Sequence, residues 1–406
     1  MSAPTQPPEA SEPPLLASHA ARVTLVMAAL FGTAGVTLVY LPRWLEVERG
    51  LSGAEIGVVL SLAQFARILT GPLIAYWADR AADRSAPLKL VSAAALAAYA
   101  AFFFVPDGFW ALLAFGFVAL SLSQAMTPLV EVAVLRATAA GRISYGVARG
   151  LGSIAFIIAN MAGGVLIARF GLGAVVVWIL TALTFTAASA WFGLRRDVRE
   201  AAPALGVRAG GLGELLRNRR FLVLIFACGL IQSAHGFYYG FSTLVWRGQG
   251  VSAEMVGVLW AFGVAVEVAF LWRLTAIERR VAPEALILIG AGGAVVRWLA
   301  MGFAPLGFVL WPLQALHALS FAAAHVGAMR LLYREAPEHA AAMAQTLYAA
   351  LSAGLLMGGS TLLSGWLYDV SGARGYWAMA LLAAAGGALA LVLLEPRPRA
   401  PAATSR

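Results

Sequence analysis

The sequence predicts an all-α membrane protein with twelve transmembrane helices arranged as two pseudo-symmetric six-helix bundles. Of its 406 residues, 61% are hydrophobic and only 12% are charged, and water cannot solvate such a chain. The apolar residues form runs of about twenty, the length of a helix that crosses ~30 Å of hydrocarbon, and not the alternating ~10-residue segments of an outer-membrane barrel. A short internal repeat also relates the two halves of the chain.

The spans are predicted from apolar runs that end at charged residues, Pro or Gly. They cover residues 22–41, 55–78, 88–105, 109–135, 146–170, 172–194, 221–246, 254–273, 285–304, 308–332, 341–367 and 375–394. Six fall on each side of a basic segment. The predicted organisation is a disordered cytoplasmic tail (1–19), an N-terminal bundle (20–194), a cytoplasmic linker (195–220), a C-terminal bundle (221–395) and a second cytoplasmic tail (396–406).

The basic residues indicate topology and not a nucleic-acid partner. Twenty-eight arginines and the single Lys89 are spread over short connections between the spans. If the N-terminus is cytoplasmic, 21 of these residues lie in cytoplasmic loops or tails and 5 lie outside. Because cytoplasmic loops carry the excess of Lys and Arg, both termini are predicted to be inside. The arginine-rich, nearly lysine-free usage is typical of a GC-rich bacterium, so we expect a multi-pass protein of the bacterial inner membrane.

The internal repeat compares GLSGAEIGVVL at 50–60 with GVSAEMVGVLW at 250–260. Four positions match at a constant offset of 200, namely Gly50 with Gly250, Ser52 with Ser252, Gly57 with Gly257 and Val58 with Val258. The same offset places Arg67 opposite Glu267, so opposite charges are expected at equivalent depths. This pattern indicates a parallel six-plus-six repeat, in which transporters commonly bind substrate between the halves.

Five charged residues lie well inside the spans: Arg67, Glu131, Arg149, Glu267 and Arg297. Inserting each of them into the membrane costs ~2.5–3.5 kcal/mol on an insertion scale, so they need partners of opposite charge or a water-filled cavity. Each lies on a polar stripe at helical spacing, which is expected where one helix face lines a cavity. The stripes add Gln124, Thr127, His235, Tyr239, Gln314, His317 and His325.

The surplus of intramembrane charge is positive, and histidine titrates near neutrality, with an ordinary pKa of about 6.5. We therefore expect a cavity that binds an anionic or polar solute and couples its movement to a proton, with Glu267 and His317 as candidate carriers. Two alternatives remain open. The five charges could simply pair, as in a uniporter, and His235 and His325 could be satisfied hydrogen-bond partners in the core.

The sequence lacks the motifs of several other classes of protein. Lys89 is not preceded by Walker spacing, so the chain has no P-loop. Neither H-E-x-x-H nor G-x-S-x-G occurs. We expect no enzymatic activity, no cofactor and no metal, and a driving force that comes from a proton gradient. The lone Cys228 lies in an apolar run and is expected to be a small core residue.

Twelve spans and the segment GPLIAYWADRAADRSAPLKL at the end of the second span resemble the major facilitator superfamily. Glu131 and Arg149, the latter in YGVARGLGS, resemble a pair in the lactose permease type of sugar/proton symporters. There the equivalent residues contact substrate. Arg297 and His317 match an arginine and histidine of that family's proton-coupling site, although Ser320 and Gln314 replace its acidic residue and its lysine.

A wider resemblance joins the chain to the 3-phenylpropionate transporter branch of this superfamily. It rests on LIQSAHGFYYGFSTLVWRGQGVSAEMVGVLWAFGVAVEV, VVRW, LQALH and HVGAMR. The resemblance implies symport of a small aromatic carboxylate with a proton. Together with the polar stripes, it gives Arg149, Glu131, Arg67, Tyr239 and His235 as the expected substrate-binding residues, and Glu267, Arg297, His317 and His325 as the expected proton-coupling residues.

Competing functions are a proton-coupled sugar or nucleoside symporter, a metabolite or drug exporter, and a membrane-embedded enzyme or receptor. The expected partners are a small-molecule substrate, anionic in the favoured hypothesis, together with protons and the lipid bilayer. A monomer is expected.

Overall fold

The computed structural model describes residues 19–140, 143–196 and 211–395. The predicted N-terminal tail, except for its last residue, His19, lies outside these ranges, as do the predicted C-terminal tail and most of the predicted linker. The described residues form helices joined by short turns and contain no β-strand, which confirms the predicted all-α class.

The first half of the chain contains six long helices. They are α1 His19–Glu48, α2 Gly53–Arg80, α3 Ala86–Phe104, α4 Phe109–Ala139, α5 Tyr145–Phe170 and α6 Gly173–Ala188, the last followed by a π-helical turn, Ser189–Gly193.

The second half is more interrupted. Its α-helices are α7 Leu212–Arg217, α8 Arg219–Ser233, α9 Gly236–Gly248, α10 Ala253–Trp272, α11 Leu274–Glu278, α12 Pro283–Met301, α13 Leu310–Ala315, α14 Ala324–Glu335, α15 Ala341–Ala349, α16 Met357–Ser371 and α17 Gly375–Leu391. The π-helical segments are Ala318–Ala323 and Ala350–Leu356, and the 3-10 turns are Gly307–Val309, Glu338–Ala340, Gly372–Arg374 and Val392–Leu394.

Eleven helical stretches in the described part of the chain are long and apolar enough to cross a membrane. The last, Glu338–Leu394, has 57 residues, which at 1.5 Å per residue would extend ~85 Å against ~30 Å of hydrocarbon. The turn Gly372–Arg374 divides it into α16 and α17. It therefore supplies two crossings, and the twelve predicted spans are confirmed.

The sequence repeat corresponds to a structural repeat. Gly50 and Gly250 both have positive φ, +64° and +87°, and the serines two residues later cap α2 and α10 with nearly identical backbone angles. The side chains of Ser52 and Ser252 each accept a hydrogen bond from the amide three residues on. This is the usual way to satisfy a free donor at a helix start. Equivalent residues thus start equivalent helices in the two halves.

The halves meet along two equivalent seams, where α2 packs on α16 and α5 packs on α10. A Cβ added at Gly57 would lie 3.0 Å from the Cα of Gly365, and one added at Gly257 would lie 2.2 Å from the carbonyl oxygen of Asn160. Such close backbone approach is typical of small residues between membrane helices. Tyr40 ties the second seam, since its hydroxyl lies 2.9 Å from Asn160 O and 3.1 Å from Ala253 O.

Two predicted spans of the C-terminal half are broken at the same depth as their polar residues. The seventh span is interrupted between α8 and α9, at Ala234 and His235. The tenth changes to a π-helix immediately after His317. Short π-helical segments widen a helix locally and occur often at functional sites. These breaks place His235, His317 and Ser320 together in the interior.

Candidate functional site

Arg297, on α12, is fully buried and is the centre of a polar cluster in the C-terminal half. Its Nη2 donates to Gln314 Oε1 at 2.9 Å, and its Nη1 lies 3.0 Å from Nδ1 of His317. The guanidinium carbon lies 4.4 Å from the ring centroid of Tyr238, whose hydroxyl also donates to Gln314 Oε1 at 2.8 Å. Burying this charge is possible because hydrogen-bond acceptors and a ring face surround it.

His317 connects this arginine to Glu267. A guanidinium can only donate, so Nδ1 of His317 accepts from Arg297 and the ring proton of the neutral imidazole is assigned to Nε2. Nε2 lies 3.3 Å from Oε2 of Glu267. The N–H therefore faces the carboxylate, and both nitrogens of His317 are occupied.

His235 belongs to the same cluster through Ser320. Its Nδ1 donates to the carbonyl of Gln232 at 3.0 Å, which leaves Nε2 as an acceptor, 3.2 Å from the Ser320 hydroxyl. Ser320 in turn accepts a long contact of 3.4 Å from Arg297 Nη1. His235 was predicted to bind substrate, and the structure places it in the interior with both ring nitrogens partnered.

His325 lies on the exposed side of the same helix face. The rings of His317, Phe321 and His325 form a column, with centroids 5.3 Å and 6.0 Å apart and interplanar angles of 12° and 9°. His325 is exposed, in contrast to His317. The i, i+4 spacing predicted this shared face, which runs from the buried cluster to accessible space.

Arg149 and Glu131, on α5 and α4, are half-buried. The Arg149 guanidinium carbon lies 4.3 Å from the ring centroid of Phe31. Its Nη1 is buried and has no hydrogen-bond partner among the described residues. Glu131 likewise makes no ion pair within 4 Å in the described part of the chain. Both charges are thus available to a solute.

Arg67 and Tyr239 line a cavity of about 270 Å³ between the halves, near the lower limit for small-molecule sites. Arg67 is exposed, and within the described ranges it forms no ion pair. Five of the other lining residues are Leu, and seven are polar, namely Thr37, Gln64, Tyr99, Ser123, Gln124, Thr127 and Thr361. The structure thus brings the predicted residues into two groups, the Arg297 cluster and the solute-accessible charges.

Sequence reasoning missed Tyr99 and the full role of Tyr238. Tyr99 lies in the alanine- and phenylalanine-rich α3, where no polar stripe marks it, and yet its side chain lines the cavity. Tyr238 shares Gln314 Oε1 with Arg297 as a hydrogen-bond donor. The replacement of the family's lysine by Gln314 could have suggested this, because an amide oxygen beside an arginine is a natural acceptor.

Comparisons with known proteins agree with this architecture. Residues 22–379 match the family described as MFS_1 like. The chain is 31% identical to a probable 3-phenylpropionic acid transporter of Escherichia coli, over 87% of this chain and 92% of that protein. It is 29% identical to a maltose permease of Geobacillus stearothermophilus, over 91% and 93%.

Solved structures share the fold at low identity. A mutant of the nucleoside transporter NupG superposes with a TM-score of 0.80 at 14% identity, over 93% of this chain and all of that one. A bacterial homologue of the human lysosomal transporter Spinster superposes with a TM-score of 0.72 at 14% identity, over 94% and 97%. With its twelve crossings and its match along most of its length, the chain belongs to the MFS_1-like family and is a multi-pass membrane transporter, not an enzyme.

Proposed function

We propose that this transporter imports a small aromatic carboxylate together with a proton. The observation that carries the proposal is the unpartnered, buried Nη1 of Arg149 beside the ring of Phe31. Leaving such a donor unsatisfied costs about 1–3 kcal/mol, and more for a charged group. A carboxylate would satisfy it through charge-assisted hydrogen bonds, while the neighbouring ring suits an aromatic solute.

The balance of charge in the accessible region favours an anion. Arg67 is close enough to Glu131 for their charges to interact, whereas Arg149 has no carboxylate within 4 Å among the described residues. One positive charge therefore remains uncompensated until a solute binds. The relationship to a probable 3-phenylpropionic acid transporter supports the same class of substrate.

The geometry of His317 supports Glu267 as the proton carrier. Arg297 occupies Nδ1, so His317 cannot take a second proton without losing that contact. The remaining site in the Arg297–His317–Glu267 chain is the carboxylate, which faces the Nε2–H at 3.3 Å. In this proposal His317 positions Glu267, and His325, on the exposed face, is the route by which the proton arrives.

Transport would proceed by rocking of the two halves about the substrate. The α2–α16 and α5–α10 seams are the surfaces that separate and rejoin. The proposed topology keeps both termini on the cytoplasmic side of the bacterial inner membrane, with one bundle on each side of residues 195–220, in a protein that acts as a monomer.

The test is uptake of labelled 3-phenylpropionate into vesicles that contain the purified protein, with and without an inward proton gradient. We expect accumulation that depends on the gradient, and Glu267→Gln should abolish accumulation while leaving exchange of internal for external substrate. Substrate accumulation by Glu267→Gln equal to that of the unmodified protein would refute the assignment of the carrier. Absence of uptake at every gradient would refute the substrate.

A proton-coupled sugar or nucleoside carrier is the second candidate. Glu131 has no hydrogen-bond partner among the described residues and could accept substrate hydroxyls, and relatives include proteins named as a maltose permease and a nucleoside transporter. Uptake of labelled galactosides and nucleosides into the same vesicles separates the two proposals. Gradient-dependent accumulation of these solutes that added aromatic acids do not inhibit would favour this second function.

A further inference from the structure

The connection between α10 and α12 carries positive charge that the proposed mechanism does not use. Its three arginines, Arg273, Arg279 and Arg280, are all exposed, and we call them the basic loop. None of the three forms an ion pair within 4 Å in the part of the chain that the structure describes. Their charges are therefore available to an anion from outside the chain.

The acidic residues nearest to the basic loop in sequence are engaged by another helix. Oε1 of Glu278 lies 3.7 Å from Nε of Arg330, on α14. Glu284, at the start of α12, pairs with Arg334 of the same helix. Because both carboxylates are neutralised by arginines of α14, they do not offset the charge of the basic loop.

Apolar packing holds the basic loop in a fixed position. The short helix α11 lies within it, and Leu274 and Ile277 of this helix pack against Leu286 of α12 and Val326 of α14. The carbonyl of Val281 also accepts a contact of 3.4 Å from an arginine of α14. The apolar side chains of α11 are thereby turned inward, which leaves the arginines on the outer surface of an ordered segment.

The basic loop begins at the level of the membrane surface. Helix α10 is an apolar span of 20 residues that ends at Trp272, and the Trp272 side chain is 82% exposed. Tryptophan at the end of a span is typical of the boundary between hydrocarbon and lipid headgroups. Arg273 follows directly. In the proposed topology this boundary belongs to the cytoplasmic leaflet, where anionic lipids attract basic segments next to a span.

The internal repeat shows that this charge is not a general requirement of the fold. At the offset of 200, Arg279 corresponds to Asp79 and Arg280 corresponds to Arg80. The guanidinium carbon of Arg80 lies 3.5 Å from the ring centroid of Tyr76, on its own helix. The two equivalent charges thus cancel in the N-terminal half, whereas they add in the C-terminal half.

We propose that the basic loop binds the headgroup of an anionic phospholipid, with the acyl chains beside Trp272 and the lipid-facing side of α10. This proposal is independent of the solute that the protein carries. Each arginine near an anionic membrane surface contributes about fivefold in affinity, which corresponds to ~1 kcal/mol. A zwitterionic headgroup carries no net charge, so we expect phosphatidylethanolamine to bind at least tenfold more weakly than phosphatidylglycerol.

The experiment measures lipid binding to the full-length protein by native mass spectrometry. The protein is delipidated in detergent and titrated with phosphatidylglycerol or phosphatidylethanolamine. The Kd of the first bound phosphatidylglycerol should rise about 25-fold when Arg279→Gln and Arg280→Gln are combined. The matched control combines Arg169→Gln and Arg374→Gln, which remove two exposed arginines in the last turn of α5 and in the turn before α17. The control should leave this Kd within a factor of two.

A charge-conserving variant separates electrostatic attraction from a structural effect. Arg279→Lys combined with Arg280→Lys keeps both charges, so its Kd for phosphatidylglycerol should stay within threefold of that of the unmodified protein. Melting temperatures in detergent verify that every variant remains folded.

Four results would overturn the proposal. They are equal affinity of the unmodified protein for the two lipids, an unchanged Kd in the double glutamine variant, a double lysine variant as weak as the double glutamine variant, and displacement of phosphatidylglycerol by millimolar inorganic phosphate. The last result would show a site for a free anion and not for a lipid.

Discussion

The α5–α10 seam can be tested by adding one methyl group. In Gly257→Ala the new Cβ would lie 2.2 Å from Asn160 O and 2.6 Å from the hydroxyl oxygen of Tyr40, so the two helices must move apart by about 1 Å. The displacement breaks the hydrogen bond from Tyr40, worth ~0.5–1.5 kcal/mol, and overpacking adds ~1–3 kcal/mol. Even ~2 kcal/mol corresponds to an approximately 30-fold shift toward the conformation in which the seam is open.

A cysteine-accessibility assay measures this shift. Thr361 is buried and lines the cavity, while the native Cys228 is buried in the second half. In a Cys228→Ala background, Thr361→Cys should react slowly with a membrane-impermeant maleimide applied at the face that carries Gly250. Adding Gly257→Ala should accelerate the reaction about 30-fold.

The control is Gly292→Ala, because a Cβ at Gly292 meets no atom within 4 Å. This variant should leave the labelling rate unchanged. If the labelling rate with Gly257→Ala equals that with Gly292→Ala, the seam does not control access to the cavity, and the energetic reasoning above is wrong.

Three further predictions concern single side chains. Arg149→Lys keeps the charge but loses the bidentate contact, so KM for the aromatic acid should rise at least tenfold, as measured by uptake, whereas Arg169→Lys at the exposed end of α5 should have no effect. The carboxylate of Asp369 accepts hydrogen bonds from two amides in the first turn of α2 at 2.7 Å and 2.8 Å. Asp369→Asn weakens these bonds, so the conformation with the seam closed should lose ~1 kcal/mol of stability, and labelling of the Thr361→Cys reporter should accelerate about fivefold. Gln314→Leu leaves a buried guanidinium nitrogen unpaired, so thermal unfolding in detergent should show a loss of about 2–4 kcal/mol.

Each of these predictions has a contrary result. A KM for Arg149→Lys equal to that of the unmodified protein would show that Arg149 does not bind the substrate carboxylate. An unchanged labelling rate in Asp369→Asn would show that the cap does not hold the seam, and unaltered stability of Gln314→Leu would show that Arg297 finds another acceptor.

The sequence predicts the fold well because hydrocarbon thickness dictates helix length and because Ser52 and Ser252 begin equivalent helices with equivalent caps. It also predicts that His317 and Arg297 are neighbours, since family spacing and a polar stripe both point to them. It does not predict the environment of Tyr99, whose polar neighbours, Thr37 and Ser123, lie on α1 and α4 and not on its own apolar helix. It leaves open whether His235 binds substrate or is a satisfied hydrogen-bond partner, because its partners depend on the break before α9 and on a π-helical turn, two local departures from regular helix that leave no period in the sequence.

The chain of contacts from Glu267 through His317, Arg297 and Ser320 to His235 has a consequence for the efficiency of energy conversion. Four of its five members could pass a proton along a hydrogen-bonded relay, but the arginine in the middle holds all its protons at every physiological pH and accepts none. It therefore interrupts any proton wire at the point where the wire would enter the core. A proton held at Glu267 therefore cannot pass Arg297 through this cluster. A histidine or a water molecule in place of Arg297 would allow protons to leak and would dissipate the membrane potential.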